Sequence, residues 1–177
     1  HISDILQLSY ESIAKNSENQ GGITGLDTGF GELNKRTGGF HGGELIIIAG
    51  RPGMGKSTFA VNIAEYVSIH LGKTVAIFNL EMPRDQIVNR IICSQALVSN
   101  GKIRTGTLQP DDWEKIVDVA DTIARAPMYI DDSASITVSQ IRAKCRRLKQ
   151  INNLEMVVID YLQLMQGSGR SENRQQE

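Results

Sequence analysis

The 177-residue chain is 40% hydrophobic and 22% charged with a formal net charge of −1, which suits an ordinary globular protein with room for one well-packed domain. That balance excludes a nucleic-acid binder held by whole-protein charge, so any such contact must come from a local basic patch. No apolar run approaches the about 20 residues of a membrane span, and no secretory signal is present, which points to a cytoplasmic protein without a membrane partner.

The two cysteines, Cys93 and Cys145, read as buried thiols of a reducing compartment and not as a disulfide or metal site. In chain order, Ile2, Leu6, Tyr10 and Ile13 have helical spacing and predict a helix over residues 2–15. One apolar stripe on so short a helix is not stable alone. It packs either on its own domain or, as a linker helix, on a neighbouring subunit. Residues 16–22, NSENQGG, read as a connector. The pattern then becomes α/β.

Residues 44–50, ELIIIAG, predict a strand of the buried parallel type. A helix is expected over 57–70 and a strand over 74–80, with Pro83 opening a helix that runs to about Val98. The Gln109-Pro110 pair opens a helix over 111–124 that carries the only tryptophan, Trp113. A short strand is expected over 127–130, a helix capped by Thr137 runs through Gln150, and residues 155–160 form a last apolar strand. Alternating strands and helices predict an α/β fold with a mainly parallel sheet covered on both faces. Residues 1–22 read as a linker helix and connector, and 23–177 as one α/β domain. The missing initiator Met and the polar ending ENRQQE read as the ends of a fragment, with the domain incomplete at its C-terminus.

Gly50-Arg51-Pro52-Gly53-Met54-Gly55-Lys56-Ser57, followed by Thr58, fits G-x-x-x-x-G-K-[ST] between a strand and a helix. Glycines let the backbone turn its N–H groups toward phosphate oxygens, and the helix adds its positive N-terminal end. Lys56 is expected on the β- and γ-phosphates and Ser57 on Mg²⁺, making a nucleoside triphosphate site. Such a site needs a carboxylate at a strand end on the magnesium side. Asp160, closing the run VVID, ranks ahead of Asp131 and Asp132, which follow a shorter and less apolar strand. Glu81, in FNLEMPR, also ends a strand and is placed to orient an attacking water.

Taken together, GRPGMGKST, NLEM at 79–82 and DYLQLM at 160–165 resemble bacterial replicative DNA helicases of the DnaB type, with their RecA-like motor domain. The similarity runs from about Ile23 to the end and includes ITGLDTGFGELN and ENRQQE; residues 2–15 resemble the family's linker helix. The resemblance implies a ring hexamer driven by ATP and Mg²⁺ that moves 5′ to 3′ on single-stranded DNA. Primase and a helicase loader are the implied partners. Lys56 and Ser57 would hold phosphate and metal, Glu81 would be the catalytic acid, and Asp160 the second metal-site residue. The family usually has Ser in place of Asn79, a change expected to matter little. A γ-phosphate-sensing Gln, a later DNA loop and an arginine finger would lie beyond Glu177, and a primase-interacting domain upstream of residue 1.

For DNA, the loop QGSGRSENR at 166–174 offers Gly167 and Gly169 for close backbone approach, with Arg170 and Arg174 for phosphates. The basic helix carrying Arg142, Lys144, Arg146, Arg147 and Lys149 has an inward stripe of Ile141, Cys145 and Leu148, so it reads as a solvated or subunit-facing surface. Two further readings are a RecA- or RadA-like recombination ATPase, which NLEM and DYLQLM oppose, and an ATP-dependent assembly switch or loader. No acceptor-binding or lid segment for a small-molecule kinase is evident.

Overall fold

A computed structural model describes residues 2–18 and 22–161, and the chain divides into two compact units, residues 1–47 and 48–177. In the first, helix α1 (Ile2–Glu18) leaves Ile2, Ile5, Leu6, Tyr10 and Ile13 exposed. A short helix α2 (Gly31–Thr37) follows, which no apolar periodicity announced. Its buried Asn34 fastens the preceding loop. Asn34 Oδ1 accepts from the Thr28 backbone N–H at 3.1 Å and from Thr28 Oγ1 at 2.7 Å, and Asn34 Nδ2 donates to Asp27 Oδ1 at 2.6 Å. An antiparallel bridge between Leu26 and Phe40 closes the unit.

The strand expected over residues 44–50 does not form. Leu45 and Ile47 are 82% and 72% exposed, and Ile46 and Ile48 are also exposed. An aliphatic run becomes a buried strand only when a neighbouring strand satisfies its backbone, and among the described residues none pairs with it.

Among the described residues the second unit is built on three parallel strands: β1 (Thr74–Asn79), β2 (Met128–Asp131) and β3 (Leu154–Asp160), in the order β2-β1-β3. The central strand β1 is buried along its whole length. Successive side chains of a strand face opposite ways, so each face of β1 needs a cover. Ala76 and Phe78 pack with Ile136, Ile141 and Leu154, flanked by Cys145 and Leu148; α7 (Val138–Asn152) supplies much of that layer. Val75 and Ile77 point the other way. The π-helical turn Tyr66–His70, which continues α3 (Lys56–Glu65), packs on β1, while α3 itself packs on β3. Parallel strands joined by covering helices place all three strand C-termini on one edge, and that edge carries the candidate site.

Local signals explain the helix boundaries. Pro83 takes the N-cap of α4 (Arg84–Ala96), one residue before the expected place, because its ψ of 148° is extended. Gln109 and Asp112 form a capping box for α6 (Pro110–Arg125), and Thr137 with Gln140 forms another for α7. The intervening α5 (Asn100–Thr105), capped by Ser99, has no counterpart among the elements expected from the sequence. Trp113 is exposed on α6. Cys93 and Cys145 are free thiols, half-buried and not fully buried; desolvation pushes both above the ordinary thiol value. No helix among the described residues is long and apolar enough to cross a membrane.

Candidate active site

The loop preceding α3 is built on two left-handed glycines. Gly53 and Gly55 have φ of 78° and 83°, a region in which only glycine sits without strain. The Met54 N–H donates to the Arg51 carbonyl at 3.2 Å and closes the turn, and Gly55 is the N-cap from which Lys56 starts the helix. A Cβ added at Gly50 would meet the Lys56 side chain at 3.4 Å, so the loop folds back over the lysine stem. Arg51, Pro52, Gly53, Met54 and Gly55 are exposed, Lys56 and Ser57 half-buried, and Thr58 exposed. Backbone N–H groups ahead of a 10-residue helix, with an ammonium and a hydroxyl in its first turn, make an anion cradle.

The second half of the site is the carboxyl edge of β1 and β3. Asn79 and Asp160 are paired in register there, and the Leu80 N–H donates to the Asp160 carbonyl at 2.7 Å. Asp160 is 9% exposed, and its Oδ2 is buried without a hydrogen-bond partner among the described residues. Beyond the strand, Asn79 Oδ1 accepts from the backbone N–H groups of Glu81 and Met82 at 2.9 and 2.8 Å. The turn so formed sets Glu81 on the surface, just past the register pair of Asn79 and Asp160.

The rival acids are engaged elsewhere. Asp131 forms an ion pair with Lys144 and accepts from the Ser133 N–H at 3.0 Å. Burial alone would raise its pKa, but those bonds and the Lys144 charge outweigh it and hold the carboxyl below its ordinary value. Asp132 Oδ2 accepts from the Arg84 N–H at 3.1 Å. Among the described residues, Asp160 is therefore the strand-end carboxylate that retains a buried unsatisfied oxygen.

A connection not foreseen from the motifs links the two halves. Arg90 on α4 donates to Thr58 Oγ1 at 2.9 Å, tying the helix that follows Glu81 to the first turn of α3. The signal that could have revealed it is modest: an arginine two turns into α4, with its neighbours Ile87 and Ile91 buried. Gly167, Gly169, Arg170 and Arg174 lie outside the described residues. Among the described residues no group of three or more His, Cys, Asp or Glu could hold a metal ion. A cation at Ser57 and Asp160 would then draw most of its ligands from phosphate oxygens and water, as Mg²⁺ commonly does. The unsatisfied Asp160 oxygen fits that role.

The family described as DnaB-like helicase C terminal domain matches residues 25–177. The chain belongs to this family. It is 51% identical to the replicative DNA helicase DnaB of Geobacillus stearothermophilus over 178 aligned residues, covering 100% of this chain and 39% of that protein. It is 48% identical to the replicative DNA helicase DnaC of Bacillus subtilis (strain 168), with the same coverage. Among solved structures, one of an isolated ATPase domain superposes with a TM-score of 0.89 at 31% identity, covering 98% of this chain and 61% of that one. A DnaB-like replicative helicase, solved in a study that also described its interactions with primase, superposes with a TM-score of 0.88 at 30% identity. It covers 99% of this chain and 42% of that one. The fold is thus the RecA-like α/β fold of DnaB-like ATPase domains, and the chain spans about two fifths of the length of the curated relatives.

Proposed function

We propose that the chain is the motor domain of a replicative DNA helicase, coupling ATP hydrolysis to 5′–3′ movement on single-stranded DNA and to duplex unwinding. The observation that carries this reading is the Arg90–Thr58 bond, which ties the first turn of the helix after the glycine loop at residues 50–58 to the helix that follows Glu81, beside a strand-end Asp160 with a buried unpaired oxygen. Membership of the DnaB-like family supports it.

The backbone from Gly50 to Gly55 wraps the triphosphate. Its N–H groups turn toward the phosphates, except that Pro52 has none and that of Met54 closes the turn. Lys56 neutralises the β- and γ-phosphates, and Thr58 anchors the loop through Arg90. Ser57 and Asp160 hold Mg²⁺, which when bound offsets negative charge on the phosphate oxygens. Glu81 accepts the proton of the water that attacks the γ-phosphorus, as the bond to the departing ADP breaks. Around this core the reading places a ring hexamer in which the exposed stripe of α1 (Ile2, Leu6, Tyr10 and Ile13) docks on a neighbouring copy. Primase and a loader act as partners in the cytoplasm. Gly167, Gly169, Arg170 and Arg174 contact the DNA strand, and the exposed Arg142, Arg146 and Arg147 of α7 stay on the outer surface.

The test is the ATPase rate of the full-length protein with and without single-stranded DNA across a salt series, together with unwinding of a forked duplex. DNA should stimulate hydrolysis at low salt, and the effect should fade as salt rises. No stimulation at low salt would instead favour an ATP-dependent assembly switch.

A further inference from the structure

Asn79 is 1% exposed, and the proposed hydrolysis gives it no task. Its side chain is oriented unambiguously, because Oδ1 accepts from two backbone N–H groups, those of Glu81 and Met82. Exchanging oxygen and nitrogen would set donors against donors. That orientation leaves Nδ2 buried without a hydrogen-bond partner among the described residues. A buried unpaired donor is unfavourable, and native structures keep few of them. Here the unfavourable atom accompanies a specific benefit: the Glu81 and Met82 N–H groups are fixed, and with them the backbone that carries Glu81. The second unpaired buried atom of this edge, Asp160 Oδ2, belongs to the register partner of Asn79. The fold thus leaves one donor and one acceptor unsatisfied on paired residues at the carboxyl edge, while it satisfies both N–H groups of the turn.

We infer that Asn79 is a positioning residue for hydrolysis: its carboxamide oxygen clamps the Glu81–Met82 turn and so sets the Glu81 carboxylate relative to Asp160. The inference rests on the proposed role of Glu81. It is also more than a packing statement, because a side chain that merely fills space at a strand end has no need to accept from two successive N–H groups. An Asx-type turn is the local device by which a short amide replaces a backbone turn. Pro83, two residues beyond Glu81, restricts the far side of the same turn. Glu81 is therefore held from both ends while its side chain stays exposed.

The test uses full-length protein and two variants. Amide hydrogen exchange is followed in a peptide covering residues 80–84, without nucleotide, beside a control peptide covering 75–78. Asn79→Ala should speed exchange of the Glu81 and Met82 amides by about tenfold or more while leaving the control peptide unchanged. Asn79→Ser, which keeps an acceptor oxygen on a shorter side chain without adding a buried charge beside Asp160, should restore part of the parental protection. In ATPase assays Asn79→Ala should lower kcat by about tenfold to a hundredfold, because small misplacements of a catalytic group have effects of that size. KM should stay within about threefold of the parent, since the phosphate cradle is untouched. Parental exchange in Asn79→Ala, faster exchange throughout β1, or an unchanged kcat despite a loosened turn would each overturn the inference. Should Glu81→Gln prove fully active, the assigned role of Glu81 fails, and the exchange measurement still decides whether Asn79 clamps the turn.

Discussion

Gly55→Ala isolates one physical requirement of the phosphate loop. The residue sits at φ 83° and ψ 19° as the N-cap of α3, and a Cβ built there meets nothing within 4 Å. Steric collision is therefore no part of the effect, and what remains is the left-handed backbone, which disfavours an L-residue by about 1–2 kcal/mol. If the loop relaxes toward negative φ when nucleotide is absent, binding must restore the strained form. The nucleotide affinity then weakens by the same free energy, about fivefold to thirtyfold. Gly50→Ala is the matched control: Gly50 has no positive φ, and its Cβ would make ordinary contacts with Lys56 at 3.4 and 3.7 Å. Its affinity should stay within about threefold of the parent, a difference below the cost of the left-handed backbone. Titration of a fluorescent ATP analogue into the full-length protein reads both. A Gly55→Ala protein that binds like the parent, or a Gly50→Ala protein that loses as much, would refute the reasoning.

Other outcomes follow from the same geometry. Lys56→Ala removes a charged donor from the cradle and should weaken nucleotide binding by about tenfold to a hundredfold in the same titration. Phe78 is buried in the layer between β1 and α7, so Phe78→Ala should destabilise the fold by about 3–5 kcal/mol, measured by denaturant unfolding. Asp112 is held below its ordinary value of 3.8 first by its hydrogen bond from Lys102, and Asp131 is also lowered, its bonds outweighing burial. A carboxyl with a lowered folded pKa binds protons less readily than in the unfolded chain. Its stabilisation is fully present above about pH 4 and is lost as pH falls through the folded value. Thermal unfolding should accordingly show a midpoint that falls below about pH 4, and Lys144→Met should blunt the Asp131 part of that fall.

The legible parts of the molecule were those whose signal is local. The apolar runs ending in Asn79 and Asp160 announced β1 and β3, and Thr137 announced the start of α7. The glycine pattern at 50–57 marked the turn that the φ values of Gly53 and Gly55 now describe. What escaped depends on partners distant in sequence. The run at 44–50 has the composition of a buried strand, but composition does not say which strand pairs with it. Arg90 reaches Thr58 across 32 positions, and no spacing rule connects them. The Asn79 turn is the opposite case. It is local and could have been read from Asn at a strand end two residues before an exposed acid, but its close resemblance in size and polarity to Ser hid the difference in reach.

The most direct test of the central claim is single-turnover hydrolysis by the full-length Glu81→Gln protein, with nucleotide affinity measured in parallel. The amide retains the size of the side chain and removes its ability to accept a proton. Affinity within about threefold of the parent, with hydrolysis slowed by about a hundredfold or more, is the expected result. Hydrolysis at the parental rate would contradict the assignment of Glu81 as the proton acceptor.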